Sequence, residues 1–196
     1  MHEETLARPP RAYRRQDPTA DAALRVVSRQ EREAAARAWL LLSTASVGDA
    51  RKEWQRTGIA LLKCGVLFSA VRMEAELVHA AVGSAEVTKV SDFLEVMLFG
   101  GPVFVDQGSA RYYALVPPSV PLRREWADKL DAPYAECLGS GTYVGVPDPS
   151  RNSPHGALVY WTVPMKGPGS LCDPGAVAEF VERGRHLLRH AKAGAS

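Results

Sequence analysis

Three runs in the second half of the chain limit its fold most: "RYYALVPP" (111–118), "TYVGVP" (142–147) and "VYWTVP" (159–164). Each is short, rich in β-branched and aromatic residues, and stopped by proline. Such residues suit the pleated, half-buried surface of a strand. Proline has no N–H to give to a ladder, so it ends a strand and cannot continue a central one. The chain is therefore committed to a sheet of short strands. The stretch "LGSG" (138–141) leads into the second run and fits either a tight turn or a close backbone approach to a ligand. Nothing after it supplies the lysine, hydroxyl and helix start of a phosphate loop. It reads as a turn feeding a strand, with Gly139 and Gly141 giving the freedom.

Between and before these runs the apolar residues change period. Asp17 and Pro18 make a helix start, and helical spacing continues through "SRQEREAAARAWLLLSTA", with a break near Ser28 and Ala35, Trp39 and Leu42 along one face. "DARKEWQRTG" is a second helix ending at Gly58. "IALLKCG" and "VLFSAVRM" read as strands parted near Gly65. "EAELVHAAVG" and "EVTKVSDFLEVML" return to helix, the latter with Val87, Val90, Leu94 and Met97 or Leu98 inward. "GGPVFVDQGSARYYALVPP" reads as a hairpin turning at Gln107–Ser109, and "LRREWADKLD" as a helical insert or loop. "AECLGSGTYVGVP" and "ALVYWTVP" supply further strands. Asp173 and Pro174 open a last helix with Val177, Phe180, Val181 and Leu188 inward and Arg183, Arg185, Arg189 and Lys192 toward its end, where cations complement the dipole. This order implies an α+β fold: a mostly antiparallel sheet packed by helices, with an N-terminal helical region (17–58), a core (59–165) and a C-terminal helix (170–192).

The length, 196 residues, suits one such domain (17–196) behind a disordered basic tail (1–16). That tail holds Arg8, Arg11, Arg14 and Arg15 against Glu3 and Glu4, while the other 180 residues carry 20 basic and 20 acidic side chains. A neutral body argues against wrapping a long duplex, which calls for a broad basic surface. Cys64, Cys137 and Cys172 form no C-x-x-C pair and no zinc spacing, which fits a reducing compartment. The N-terminus lacks the apolar core of a signal peptide, and "AWLLL" and "IALLKCGVLFSAV" are too short or interrupted to span a bilayer. The expectation is a cytoplasmic protein with no membrane partner.

Catalytic motifs are few. The chain contains no G-x-S-x-G, no G-x-x-x-x-G-K-[ST], no H-E-x-x-H and no G-x-G-x-x-G after a strand. His79 lies on an apolar helix face and reads as a core histidine. His186 and His190 are one turn apart but lack a third ligand, so no metal site is assigned. Asp106 ends the strand "PVFVD" and Asp148 sits in "PDPS"; both read first as turn residues that accept backbone N–H groups. Two-metal catalysis needs converging carboxylates, and no D-x-D or D-x-E pair stands on a candidate strand.

Taken together, "ARYYALVPP" with Tyr113 and Pro117, "LGSGTYVGVPDPS", and "VYWTVP" with Tyr160 and Trp161 resemble, in order, strands of the Prim-Pol domain of bifunctional DNA primase/polymerases, in the archaeo-eukaryotic primase superfamily. "TGIALLKCGVLFSAVRM" falls where that family has its first catalytic strand, and the similarity spans about residues 34–165. The resemblance implies an antiparallel sheet bearing a D-x-D metal pair and a phosphate-contacting histidine. Here the metal stretch reads "SAVRMEAE", with Arg72 and Glu74, and the histidine position falls at Arg111 or Tyr112. An arginine can grip phosphate but cannot hold magnesium. Three readings follow. The first is a degenerate, non-catalytic relative with an accessory role in replication or transfer of a mobile element. It would contact single-stranded DNA or a nucleotide through Arg111, Tyr112, Gly139, Ser140, Gly141 and Tyr143, with no cofactor. The second is a protein-interaction or regulatory module, with Trp39 and an exposed Trp126 offered to a protein partner. The third is an active primase using Glu74 and Asp106 with magnesium or manganese.

Overall fold

The computed structural model describes residues 27–127 and 134–194. The expected tail and the helix start at Asp17 lie outside them. Ser28, where a break was expected, is the N-cap of the first described helix, α1 (Arg29–Leu40), and forms a capping box with Glu31. Helix α2 (Val47–Thr57) starts at the Ser46 cap and ends at Gly58, whose φ of 75° is the left-handed geometry that glycine adopts without strain. Then follow β1 (Ile59–Lys63), β2 (Ser69–Glu74), α3 (Ala75–Val82), α4 (Val87–Met97), β3 (Val103–Asp106) and β4 (Arg111–Val116). The chain continues with the single turn α5 (Arg124–Ala127), β5 (Ala135–Leu138), β6 (Tyr143–Pro147), β7 (Val159–Val163) and α6 (Pro174–Gly194).

The fold is α+β, as the pattern implies. Five strands form one sheet in the order β5-β2-β4-β3-β7, and β1 pairs with β6 in a separate two-stranded sheet. All strand pairs are antiparallel. The hairpin reading holds: Asp106 and Arg111 face each other across the β3–β4 turn. Pro117 and Pro164 each follow the last residue of a strand, and Pro147 closes β6.

One face of the large sheet packs under α3, α4 and α6, through Val71, Met73, Tyr112, Ala114, Leu94, Phe180 and their neighbours. The opposite face packs under the small sheet with α1 and α2, through Phe104, Leu115, Trp161, Leu62, Val146, Leu40 and Trp54. Trp54 donates its indole N–H to the Val146 carbonyl at 2.9 Å, and Trp161 to that of Pro147 at 3.1 Å, so the layer is held by polar as well as apolar contacts. The "LGSG" turn carries the chain from β5 in one sheet to β6 in the other, and the Gly65 turn does the same between β1 and β2. These crossings touch: a Cβ on Gly65 would lie 2.6 Å from Ser140 Cα.

Several expected faces shift. In α1 the buried positions are Ala36 and Leu40, four residues apart, rather than Ala35. A 3-10 turn at Leu41–Ser43 winds the backbone tighter, which turns Leu41 inward and leaves Leu42 68% exposed. Val87 begins α4 at the surface, while Val90, Leu94 and Leu98 are buried. Trp126, expected to be exposed, is 3% accessible and belongs to the helical-side core. Arg185 does not join the terminal cations: it is buried, with Glu182 as its ion-pair partner at 3.0 Å. Among the described residues no helix is long and apolar enough to cross a membrane.

Candidate functional site

Side chains alternate across a strand, so the register decides which residues share the face that the small sheet covers only in part. Arg72 of β2 stands between Glu136 of β5 and Tyr113 of β4, and Phe104 of β3 follows in the same row. The adjoining row is Glu74, Arg111 and Asp106. The first row is half apolar: Phe104 stacks on Tyr113 with ring centroids 4.7 Å apart and meets Trp161 edge-on at 5.4 Å. Beyond Tyr113 the face becomes charged.

The charges are matched across neighbouring strands. Arg72 is ion-paired with Glu136, and Arg111 Nε donates to Glu74 Oε1 at 3.1 Å. All four side chains are partly exposed, so each pair contributes at most about 1 kcal/mol. The Glu74 carboxylate, with Tyr113 nearby, raises the Arg111 guanidinium above its usual range. Asp106 is spent locally: Oδ1 accepts from Gly108 N–H at 3.0 Å and Ser109 N–H at 3.3 Å, and Oδ2 accepts the Ser109 hydroxyl at 2.7 Å. That is the turn role read from the sequence. Glu74 and Asp106 thus flank Arg111, so a cation between them would have to replace a guanidinium. Among the described residues no group of three or more histidine, cysteine, aspartate or glutamate side chains is placed to hold a metal ion.

The other proposed contacts do not gather at this row. Tyr112 points to the opposite face, buried beside His79, with its hydroxyl 3.4 Å from the imidazole. Burial pushes its pKa up to about 12 and lowers that of His79. Leu138 pairs with Ala70, so Gly139, Ser140 and Gly141 lie beyond the far end of β2, five residues from Glu74 and roughly 17 Å away along the strand. Gly141 has a φ of 88°, and Thr142 closes the turn through the Gly139 carbonyl. Tyr143, opposite Lys63, is 59% exposed at that same end. Arg72 and Glu136 complete the charged face and were not among the sequence-derived contacts. The alternation of Arg72 with Glu74 on one strand was visible; the pairing with Glu136 required the β2–β5 register. The chain finds no match among protein-family models, curated proteins or solved structures.

Proposed function

We propose that the protein is a Prim-Pol-like relative that binds a nucleotide or single-stranded DNA without transferring nucleotides, as a cytoplasmic accessory in replication or transfer of a mobile element. The observation that carries this reading is that Arg72, Glu74 and Arg111 stand in two adjoining rows of one partly open sheet face, Arg111 ion-paired with Glu74 and Arg72 with Glu136. Those residues occupy the positions where the resemblance puts the metal-binding aspartates and the phosphate-contacting histidine. Each guanidinium has five N–H donors, and a carboxylate takes only part of them, so donors remain for a phosphate. The carboxylates, held by arginine or by the turn, are poorly prepared to bridge metal ions to a triphosphate.

The test pairs fluorescence anisotropy of a labelled single-stranded oligonucleotide with a primer-synthesis assay in magnesium and in manganese. Binding is expected at low salt, weakening as salt rises and weaker again in Arg72→Gln and Arg111→Gln, with no primer formed. Absence of binding at low salt sinks the reading, and a product that disappears in Glu74→Gln replaces it with nucleotidyl transfer. A second reading, a protein-interaction module, moves from Trp39 and Trp126 to α4. There Val96 is 73% exposed, and Phe99, in the turn just past the helix, is 80% exposed at a left-handed φ of 53°. A strictly monomeric mass and no captured partner would count against it.

A further inference from the structure

A second cluster of cations lies in the other layer. The segment 148–152 leaves β6 and is fixed by three backbone hydrogen bonds, two of them to residues outside it. Asp148 N–H donates to the Gly58 carbonyl at 2.9 Å, Arg151 N–H to that of Asp148 at 2.9 Å, and Trp161 N–H to that of Arg151 at 2.7 Å. This loop, Arg37 of α1, and Arg51, Trp54 and Gln55 of α2 enclose a concavity of about 440 Å³. Asp148 also lines it, but Arg37 and Ser150 occupy both of its oxygens. Arg51 and Arg151 have no carboxylate partner among the described residues. Three guanidinium groups therefore line one cavity against a single carboxylate.

Arg151 lies against the C-terminal end of α2. Its guanidinium lies over Gly58, where a Cβ would fall 1.7 Å from Cζ. The negative end of the α2 dipole explains why a cation rests there, yet among the described residues no side-chain acceptor takes its N–H groups. Trp54 is buried, with its indole N–H committed to Val146, so it offers the cavity an apolar wall. We propose that this cavity is a binding site for a phosphate group, held by Arg51 and Arg151 with Arg37 locked beside them by Asp148. A doubly negative phosphate balances the two unpaired cations, and the planar guanidinium fork matches its oxygens. The cavity shares no lining residue with the charged sheet face, so the inference does not rest on the function proposed above.

Calorimetric titrations of the full chain with sodium pyrophosphate, and separately with a 5′-phosphorylated single-stranded oligonucleotide, test it at low salt. The wild type, Arg151→Gln, Arg51→Gln and the double variant are compared, with circular dichroism and thermal melting to verify that all four are folded. Saturable binding is expected, weakened about tenfold or more by Arg151→Gln. Pyrophosphate binding that the oligonucleotide does not displace identifies a small phosphorylated compound as the ligand. Oligonucleotide binding that both variants weaken identifies a nucleic-acid phosphate. Either outcome supports the site. No saturable binding of either probe, or equal binding by the wild type and the double variant, overturns it. Pyrophosphate binding is read without any nucleic acid, so it separates failure of this site from failure of the nucleic-acid reading.

Discussion

The carboxylate of Asp148 accepts four hydrogen bonds, two from Arg37 and two from Ser150. Burial alone would raise its pKa; the bonds to Arg37 and Ser150 together outweigh burial and hold it below the usual carboxylate range. The folded pKa is therefore lower than the unfolded value of about 3.9. The stabilisation is present above that pH and is lost as pH falls through the folded value. Asp148→Asn is expected to cost about 1 kcal/mol at pH 7, small because water screens the partly exposed Arg37. Urea unfolding at pH 7 and at about pH 2 should show the gap between the two proteins closing in acid; a gap independent of pH would refute this. Asp106 and Asp148 both read correctly as turn residues, because an aspartate accepts from backbone N–H groups two or three positions on. That Asp148 also grips an arginine 111 positions away had no local signal.

At the scale of elements, α3 and α6 meet where Gly184 leaves room. A Cβ there would lie 2.7 Å from the Leu77 carbonyl oxygen and 2.8 Å from Leu77 Cγ. Mid-helix glycine is ordinarily about 1 kcal/mol worse than alanine, so Gly184→Ala would be expected to stabilise an isolated α6. In the protein it should destabilise by about 1–2 kcal/mol, because backbone lies against the new methyl and the helices must part. A raised melting temperature would contradict that close approach. The helix boundaries at Gly58 and Pro174 were legible because caps act through the nearest few residues, whereas Ser28 was read only as a break and its capping box with Glu31 is the structure's addition. Of the face expected for α1, Trp39 packs against the core beside Phe68, but Leu42 turns outward, since a 3-10 turn at the helix end re-aims Leu41 and Leu42 and only packing rewards that turn.

For the molecule as a whole, the sheet separates two cores, and the cysteines are distributed between them. Cys172 is buried on the helical side and Cys64 on the other, while Cys137 is half-buried on the helical side. All three are free, and burial pushes Cys137 and Cys172 up to about 12 and raises Cys64. Thiolate is the reactive form, so native protein should react slowly with a disulfide reagent at pH 8, and unfolded protein should expose all three thiols at once. Rapid native labelling of Cys64 or Cys172 would show that the layers open far more readily than their packing implies.

The sequence by itself determined the α+β class, the short proline-stopped strands, the β3–β4 hairpin and the role of "LGSG" as a turn. Each follows from periodicity, turn chemistry or the missing N–H of proline within a dozen residues. Only the tertiary structure decided that β6 leaves the large sheet to pair with β1, because strands of similar composition can join either sheet and the register is set by what each face buries. It likewise decided that Tyr112 and Arg111, adjacent in the chain, serve opposite faces, and that Glu74 and Asp106 flank an arginine. Residues far apart in sequence meet only through sheet register and layer packing, and both the charged row and the arginine cavity are built from such meetings.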